Sequence, residues 1–317
     1  MKKFALSASV ITLRSIPASI AVLFLVLVAG QSLTAQEKFT LKSGYAPGIY
    51  ERIVENNYDG TAQMMGMTAP QKVTQKHYFT LNAEEKDADG TQKVVTECTR
   101  DISTITVPHW SNKYDSAVNP TFPDWYGSLF GLKITTVYDQ DGNPVKSEGG
   151  EEHFNKMKDN NNYQANKATM TDEESGLIIA DPAFMQLGVL RFKPPKVPVA
   201  IGEKWKSEVF CDVATVGKHK VNVENTLTEV KTENGKKVAT ILMKLEAHSK
   251  EPIIMAGATN TTVTNMNLLA DANVTIDLES GMVLKSITDA VADVELDHGK
   301  IKGSGKMKTT VTLTPKQ

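Results

Sequence analysis

The sequence predicts a mainly β fold, made of two curved antiparallel hairpin sheets (half-barrel-like) with a short helical insert between them. Two observations favour this fold class. Apolar and polar residues alternate along most of the chain, as they do in strands that bury one face. Asn-Gly, Asp-Gly or Ser-Gly pairs separate many of these segments, and such pairs form tight hairpin turns because glycine adopts positive φ without strain.

Residues 1–35 have the order of a secretory signal peptide. Lys2, Lys3 and Arg14 come first, an apolar stretch covers residues 16–29, and a short polar tail ends at Ala35. The apolar stretch is shorter than the ~20 residues that a membrane-spanning helix needs. We therefore expect cleavage near Ala35 and a periplasmic or extracellular mature protein without a transmembrane segment.

Net charge narrows the range of partners. The chain has 35 Lys and Arg residues against 37 Asp and Glu residues, and cleavage would remove three of the positive charges. The mature protein is then mildly acidic, which argues against nucleic acid or an anionic membrane as a partner.

The first hairpin sheet is predicted over residues 36–148. Residues 77–81, 93–107 and 133–138 have the alternation of strands, and Gly90 and Gly142 mark turns between such segments. The second sheet is predicted over residues 198–317. Its strands are expected at residues 221–227, 238–245, 273–277, 282–296 and 306–314, with turns at Gly235 and Gly281. The same order of turns in both halves suggests an internal duplication, although hairpin proteins are repetitive in any case.

Residues 149–197 differ in character from both halves. Residues 151–157 read as one or two helical turns, and residues 172–187 have the spacing of an amphipathic helix interrupted near Pro182. Pro194 and Pro195 then form a stiff, extended linker. This segment is the predicted helical insert.

No catalytic constellation is present in the sequence. The serine-hydrolase elbow, zinc-protease, Walker, Rossmann and Cys-x-x-Cys motifs are all absent, and the six histidines are scattered singly. Glu151, Glu152 and His153 would need further ligands from elsewhere to hold a metal ion. We therefore expect a protein that is not an enzyme and has no metal or cofactor.

Two apolar segments are candidates for ligand binding. Met64, Met65 and Met67 form a predicted hairpin tip, and thioethers either bind Cu(I) or serve as flexible apolar contacts. Residues 107–131 are rich in aromatic side chains, which either close over a hydrophobic ligand or complete the core. The candidates in this second segment are Trp110, Trp125, Tyr126 and Phe130.

Cys98 and Cys211 are the only cysteines in the chain. An exported protein with an even number of cysteines can form a disulfide between them. The alternative is two buried thiols that never meet.

Two short motifs resemble those of a secreted bacterial β-rich family of uncharacterised function. They are Leu129-Phe130-Gly131, ahead of the Asp141-Gly142 turn, and the segment from Pro198 to Trp205 with Gly202 at its centre. At the level of the fold alone, curved hairpin sheets also resemble the half-barrel carriers of lipoproteins or lipids in the periplasm. No ligand-binding residue of those carriers matches a position here, so the resemblance implies a hypothesis only.

The first hypothesis is therefore non-enzymatic binding of an apolar or amphipathic ligand, such as a lipid, in the concavity of a curved sheet. The small residues Ser286, Thr288, Ala290 and Ala292 are expected to face that concavity. The alternative is a structural or interaction module of the cell envelope that binds an envelope protein and no small ligand. An enzyme is the least favoured reading.

Export can be tested directly. N-terminal sequencing of the secreted protein should begin near Gln36, because the signal peptidase cleaves after the small residue that follows the apolar stretch. An exported protein that keeps Met1 would contradict the predicted location.

Overall fold

The computed structural model describes residues 36–64, 67–119, 129–149, 192–213, 217–249, 253–254, 262–296 and 301–316. The predicted signal peptide and both predicted helical segments of the insert lie outside these ranges. Within them the chain forms strands, turns and extended segments, and no helix is present. The described ranges accordingly contain no helix with the length and apolar composition to cross a membrane.

Fifteen strands make up the described structure. In the N-terminal half they are β1 (Lys38–Phe39), β2 (Gly48–Met64), β3 (Met67–Ala83), β4 (Gln92–Val107), β5 (Trp110–Asp115), β6 (Lys133–Tyr138) and β7 (Pro144–Glu148). In the C-terminal half they are β8 (Val199–Ala200), β9 (Lys204–Val213), β10 (Gly217–Glu233), β11 (Lys236–Ser249), β12 (Ile253–Ile254), β13 (Thr262–Asp277), β14 (Val283–Leu296) and β15 (Ile301–Pro315). The mainly antiparallel β prediction is confirmed.

The expectation of two separate sheets is wrong. One 13-stranded sheet runs in the order β7-β6-β4-β3-β2-β15-β14-β13-β11-β10-β9, with β5 on β4 and β12 on β13. A two-stranded sheet of β1 and β8 stands beside it. The two halves become one sheet because β15 pairs with β2 along its whole length, from Met64 opposite Ile301 to Tyr50 opposite Pro315. Sequence alternation predicts strands, but it does not specify which distant strand becomes a neighbour.

Alternation along each strand gives the sheet one buried and one exposed face. On β11, for example, Ile241, Met243 and Leu245 are buried, whereas Lys244 and Glu246 between and after them are exposed. The buried face carries two hydrophobic clusters. One is built mainly on β10, β11 and β13, and the other mainly on β2, β3, β4 and β6.

An extended segment between β1 and β2 contacts both clusters. Phe39 and Leu41 pack in the C-terminal cluster, and Tyr45 and Ala46 pack against the N-terminal cluster. Between these contacts, residues 42–44 pass the β6–β7 turn at Gly142 and the β13–β14 turn at Gly281. A Cβ atom on Gly281 would lie 2.5 Å from the carbonyl carbon of Lys42. This segment therefore fits only because the turns lack side chains at these points.

The predicted glycine turns are confirmed. Positive φ angles occur at Gly90 (83°), Gly142 (77°), Gly235 (80°) and Gly281 (76°). In the last of these turns, Asp277 Oδ1 accepts hydrogen bonds from the backbone N–H groups of Glu279 and Ser280 at 2.8 and 3.0 Å. Burial acts to raise the pKa of Asp277, but these hydrogen bonds and Lys236 outweigh it and hold the pKa below its usual value.

Substitution of two turn glycines separates backbone strain from close packing. Gly235→Ala should cost about 1–2 kcal/mol, because φ is positive there but no other atom lies within 4 Å of the position that its methyl carbon would take. Gly281→Ala should cost about 1–3 kcal/mol more, because its methyl group also collides with the backbone of Lys42. Urea denaturation of both variants measures the difference. Equal free energies of unfolding would show that residues 42–44 do not pack tightly against this turn.

Candidate functional site

The exposed face of the sheet curves around a cavity of about 1250 Å³. Seven neighbouring strands line it, namely β9, β10, β11, β13, β14, β15 and β2. Most of the lining side chains belong to the exposed alternation of these strands, so the cavity lies on the opposite face from the two hydrophobic clusters. We call this surface the concave face.

The strand register arranges the lining side chains in two cross-strand rows. The first row reads Lys206, Glu224, Lys244, Asp271, Asp289, Lys308 and Asn57 from β9 to β2. The second row includes Glu246, Leu269, Val291, Lys306 and Asp59. Side chains directly opposite each other on neighbouring strands are close enough to interact. The concave face therefore has charges of both signs in fixed positions.

An apolar pair lies in the middle of this charged surface. Leu269 on β13 is directly opposite Val291 on β14, and the two side chains are 44% and 42% exposed. Glu246 and Lys306 flank the pair on the neighbouring strands, and Asp271 and Asp289 follow it along β13 and β14. Two adjacent apolar side chains open to a cavity offer a contact for an apolar group.

Three carboxylates of the concave face have close basic partners. Asp59 pairs with Lys72 at 3.2 Å, Glu224 with Lys204 at 2.8 Å, and Glu246 with His248 at 2.6 Å. The hydrogen bond from Lys204, together with the charges of Lys206 and Lys244, lowers the pKa of Glu224. Asp59 and Glu224 thus have a lysine partner, and Glu246 has the imidazole of His248.

The charges beside the apolar pair are different. Asp289 and Lys308 are 4.0 Å apart, the longest ion-pair distance on this face. Asp271 and Lys306 form no ion pair with any residue in the described ranges. Lys206 and Lys244 likewise form no ion pair with a described residue, and Lys244 is directly opposite Asp271. Charges of both signs with spare capacity for a ligand therefore lie beside Leu269 and Val291.

The residues predicted from sequence lie elsewhere or outside the described ranges. Met64 ends β2 and Met67 begins β3, which confirms the hairpin, and Met65 lies between the described ranges. Trp110 begins β5, Phe130 is half-buried in a turn, and Trp125 and Tyr126 lie outside the described ranges. Their proposed ligand contacts stay predictions, since the described lining of the cavity comes from other residues.

The expected orientation of β14 is wrong. Ser286, Thr288 and Ala290 are 1%, 2% and 6% exposed, so their side chains belong to the buried face. Asp289 and Val291, in the opposite alternation, face the cavity. The sequence contained a signal for this, because Leu269 and Val291 stand in phase with the charged residues of their strands rather than with the small ones.

Cys98 is a free thiol that is completely buried in the N-terminal cluster. Burial raises the pKa of this thiol well above its usual value, so it has little thiolate character. Cys211 lies on β9, with seven strands of the sheet between it and β4. The structure gives no support to a disulfide between the two cysteines.

A second polar feature lies on the buried face, between β3 and β4. His77 on β3 and Asp101 on β4 are 4% and 0% exposed, and His77 Nδ1 lies 2.8 Å from Asp101 Oδ1. Neither Asp101 carboxylate oxygen nor His77 Nδ1 has a hydrogen bond of good geometry to a described residue, so this close contact is the polar contact that the structure gives the two side chains. Nearby, Thr309 donates a buried hydrogen bond of 2.9 Å to Asn56 Oδ1.

Comparisons with known proteins give weak similarities of fold. No family model matches the chain, and no curated protein matches it. A structure of lipovitellin, concerned with its lipid–protein interactions, has a TM-score of 0.45 at 8% identity over 85% of this chain and 25% of its own. The chain therefore spans a quarter of that protein.

Two further structures have still lower TM-scores. The translocator domain of the autotransporter NalP from Neisseria meningitidis has a TM-score of 0.21 at 10% identity, over 93% of this chain and 95% of its own. A DUF1329 family protein from Desulfovibrio piger has a TM-score of 0.12 at 9% identity, over 93% of this chain and 91% of its own. Similarities of this size carry no argument about function.

The buried pair can be tested by removing one partner. His77→Leu should lower the free energy of unfolding by about 3–5 kcal/mol, because it leaves the carboxylate of Asp101 buried without a partner. Replacing both residues, in His77→Leu with Asp101→Leu, should recover part of that loss. Lys72→Met is the control, since it breaks an exposed ion pair, and such pairs contribute little to the free energy of unfolding. Denaturation curves in which His77→Leu and Lys72→Met lose equally little stability would contradict the assignment.

Proposed function

We propose that this protein binds an amphipathic ligand on the concave face and does so without catalysing a reaction. The observation that carries the proposal is the cavity in which the adjacent apolar side chains of Leu269 and Val291 are surrounded by charged side chains. An apolar part of the ligand would cover this pair, and a polar part would contact the charges beside it. We further propose export to the periplasm or beyond, on the strength of the signal-like N-terminus.

The volume and shape of the cavity support a ligand of lipid size. Its volume of about 1250 Å³ slightly exceeds the ~300–1000 Å³ typical of small-molecule sites, and it is open rather than enclosed. The cavity extends across seven strands, so a long alkyl chain with a head group fits it better than a compact metabolite. The strands that line it are hydrogen-bonded to each other throughout, so the site is preformed.

The contribution of the apolar pair can be measured with long-chain amphiphiles. Isothermal titration calorimetry with dodecyl maltoside and dodecylphosphocholine, both kept below the concentration at which they form micelles, should show binding to the parent protein. Leu269→Gln with Val291→Gln should weaken that binding at least about tenfold, because each lost apolar contact is worth on the order of 1–2 kcal/mol.

Val145→Gln is the matched control. Val145 on β7 is also an exposed apolar side chain, 60% exposed, but it does not line the cavity. This variant should bind the amphiphiles as the parent protein does. A parent protein that binds neither amphiphile would contradict the proposal and favour an interaction module of the cell envelope.

A further inference from the structure

We infer, resting on the proposed function, that the ligand is a zwitterionic amphiphile whose cationic group lies beside Asp271 and Asp289 and whose anionic group lies beside Lys306 and Lys308. Two observations indicate the chemical class of the head group. One is which charges on the concave face have no close partner, and the other is where these charges lie relative to Leu269 and Val291.

The available charges are of both signs. The carboxylates of Asp59 and Glu224 are committed to ion pairs of 3.2 Å or less, and that of Glu246 contacts the imidazole of His248 at 2.6 Å. Among the described residues, Asp271, Lys244 and Lys306 form no ion pair, and Asp289 and Lys308 are only loosely paired at 4.0 Å. A purely anionic head group would meet the two aspartates, and a purely cationic one would meet the two lysines. A head group with both charges avoids either repulsion.

The spacing of the central charges fits such a head group. Asp271 and Asp289 are directly opposite each other on β13 and β14, and Lys308 is directly opposite Asp289 on β15. The negative and positive positions are thus one inter-strand step apart, about 4.8 Å. Lys244 is directly opposite Asp271 on the other side, so the row reads Lys244, Asp271, Asp289 and Lys308. The two adjacent carboxylates in its middle repel each other, and a cationic group of the ligand would relieve that contact.

The apolar pair fixes the direction of the ligand. Along β13 and β14, Leu269 and Val291 each stand two residues from Asp271 and Asp289, on the same face. Lys306 lies directly opposite Val291 on β15. The apolar chain would therefore begin beside both charged groups, as it does in a molecule whose charges are at one end of its tail.

A series of amphiphiles with the same dodecyl tail tests the head group. Dodecylphosphocholine should bind at least about tenfold more tightly than dodecyl maltoside, because its two charges add interactions that the neutral sugar lacks. Dodecyl sulfate and dodecyltrimethylammonium should bind more weakly than dodecylphosphocholine. Glycerophosphocholine, which has no tail, should bind weakly or not at all.

Charge-removing variants give the sharper result. The double variant Asp271→Asn with Asp289→Asn should weaken the binding of dodecylphosphocholine about tenfold. Dodecyl sulfate should then be the charged amphiphile that binds most tightly. Lys306→Gln with Lys308→Gln should have the opposite effect and favour dodecyltrimethylammonium. Glu85→Gln and Lys86→Gln, in the exposed loop between β3 and β4, are controls that should leave the preferences unchanged.

The outcomes distinguish the head-group inference from the proposed function. Equal binding of dodecylphosphocholine and dodecyl maltoside would overturn the inference and leave amphiphile binding standing. Equal binding of glycerophosphocholine and dodecylphosphocholine would overturn the role of the tail. A protein that binds none of the dodecyl compounds would overturn both. Charge-removing variants that weaken binding but do not change which charged amphiphile binds most tightly would also overturn the placement of the two charged groups.

Discussion

Pairing between β2 and β15 is the constraint on which the rest of the structure depends. It joins the first long strand to the last one along their full length and so makes a single sheet from two sets of hairpins. Val311 and Leu313 from β15 pack in the N-terminal hydrophobic cluster, whereas Met307 of the same strand packs against the C-terminal one. The same strand supplies Lys306 and Lys308 to the concave face. One strand thus contributes to both clusters and to the candidate site.

The alternation of β-strands gives the two faces different roles. The buried face supplies the stabilising apolar contacts, because one continuous side of β11 and β13 consists of aliphatic and alanine side chains. This leaves the other face free of any packing requirement, and it carries charges and two exposed apolar residues. The extended segment at residues 42–44, held between two glycine turns, adds contacts at the ends of the hairpins without covering the concave face. Apolar packing and the candidate site therefore lie on different sides of the same backbone.

Local features of the sequence predicted local structure well. The alternating segments lie within observed strands, and Gly235 and Gly281 have the positive φ expected of hairpin turns. The joining of the halves could not be read from the sequence, since strand partners far apart in the chain are selected by packing rather than by local pattern. The candidate site was missed for a related reason. Aromatic and methionine residues are recognisable as candidate ligand contacts by their chemistry alone. Leu269 and Val291 are ordinary strand residues, and they are candidates only because their position in the strand alternation places them on the exposed face.

The same β2–β15 pairing has a consequence for how the chain folds. Thr309 and Asn56, which share a buried hydrogen bond, are 253 residues apart, so this contact forms only after nearly all of the chain has been synthesised. Until then β2 is a long strand edge with unsatisfied backbone groups, a surface on which other chains can aggregate. Contacts this distant also make folding slow. Chaperones that cover this edge, or folding delayed until the final strand is available, would keep the growing polypeptide from aggregating.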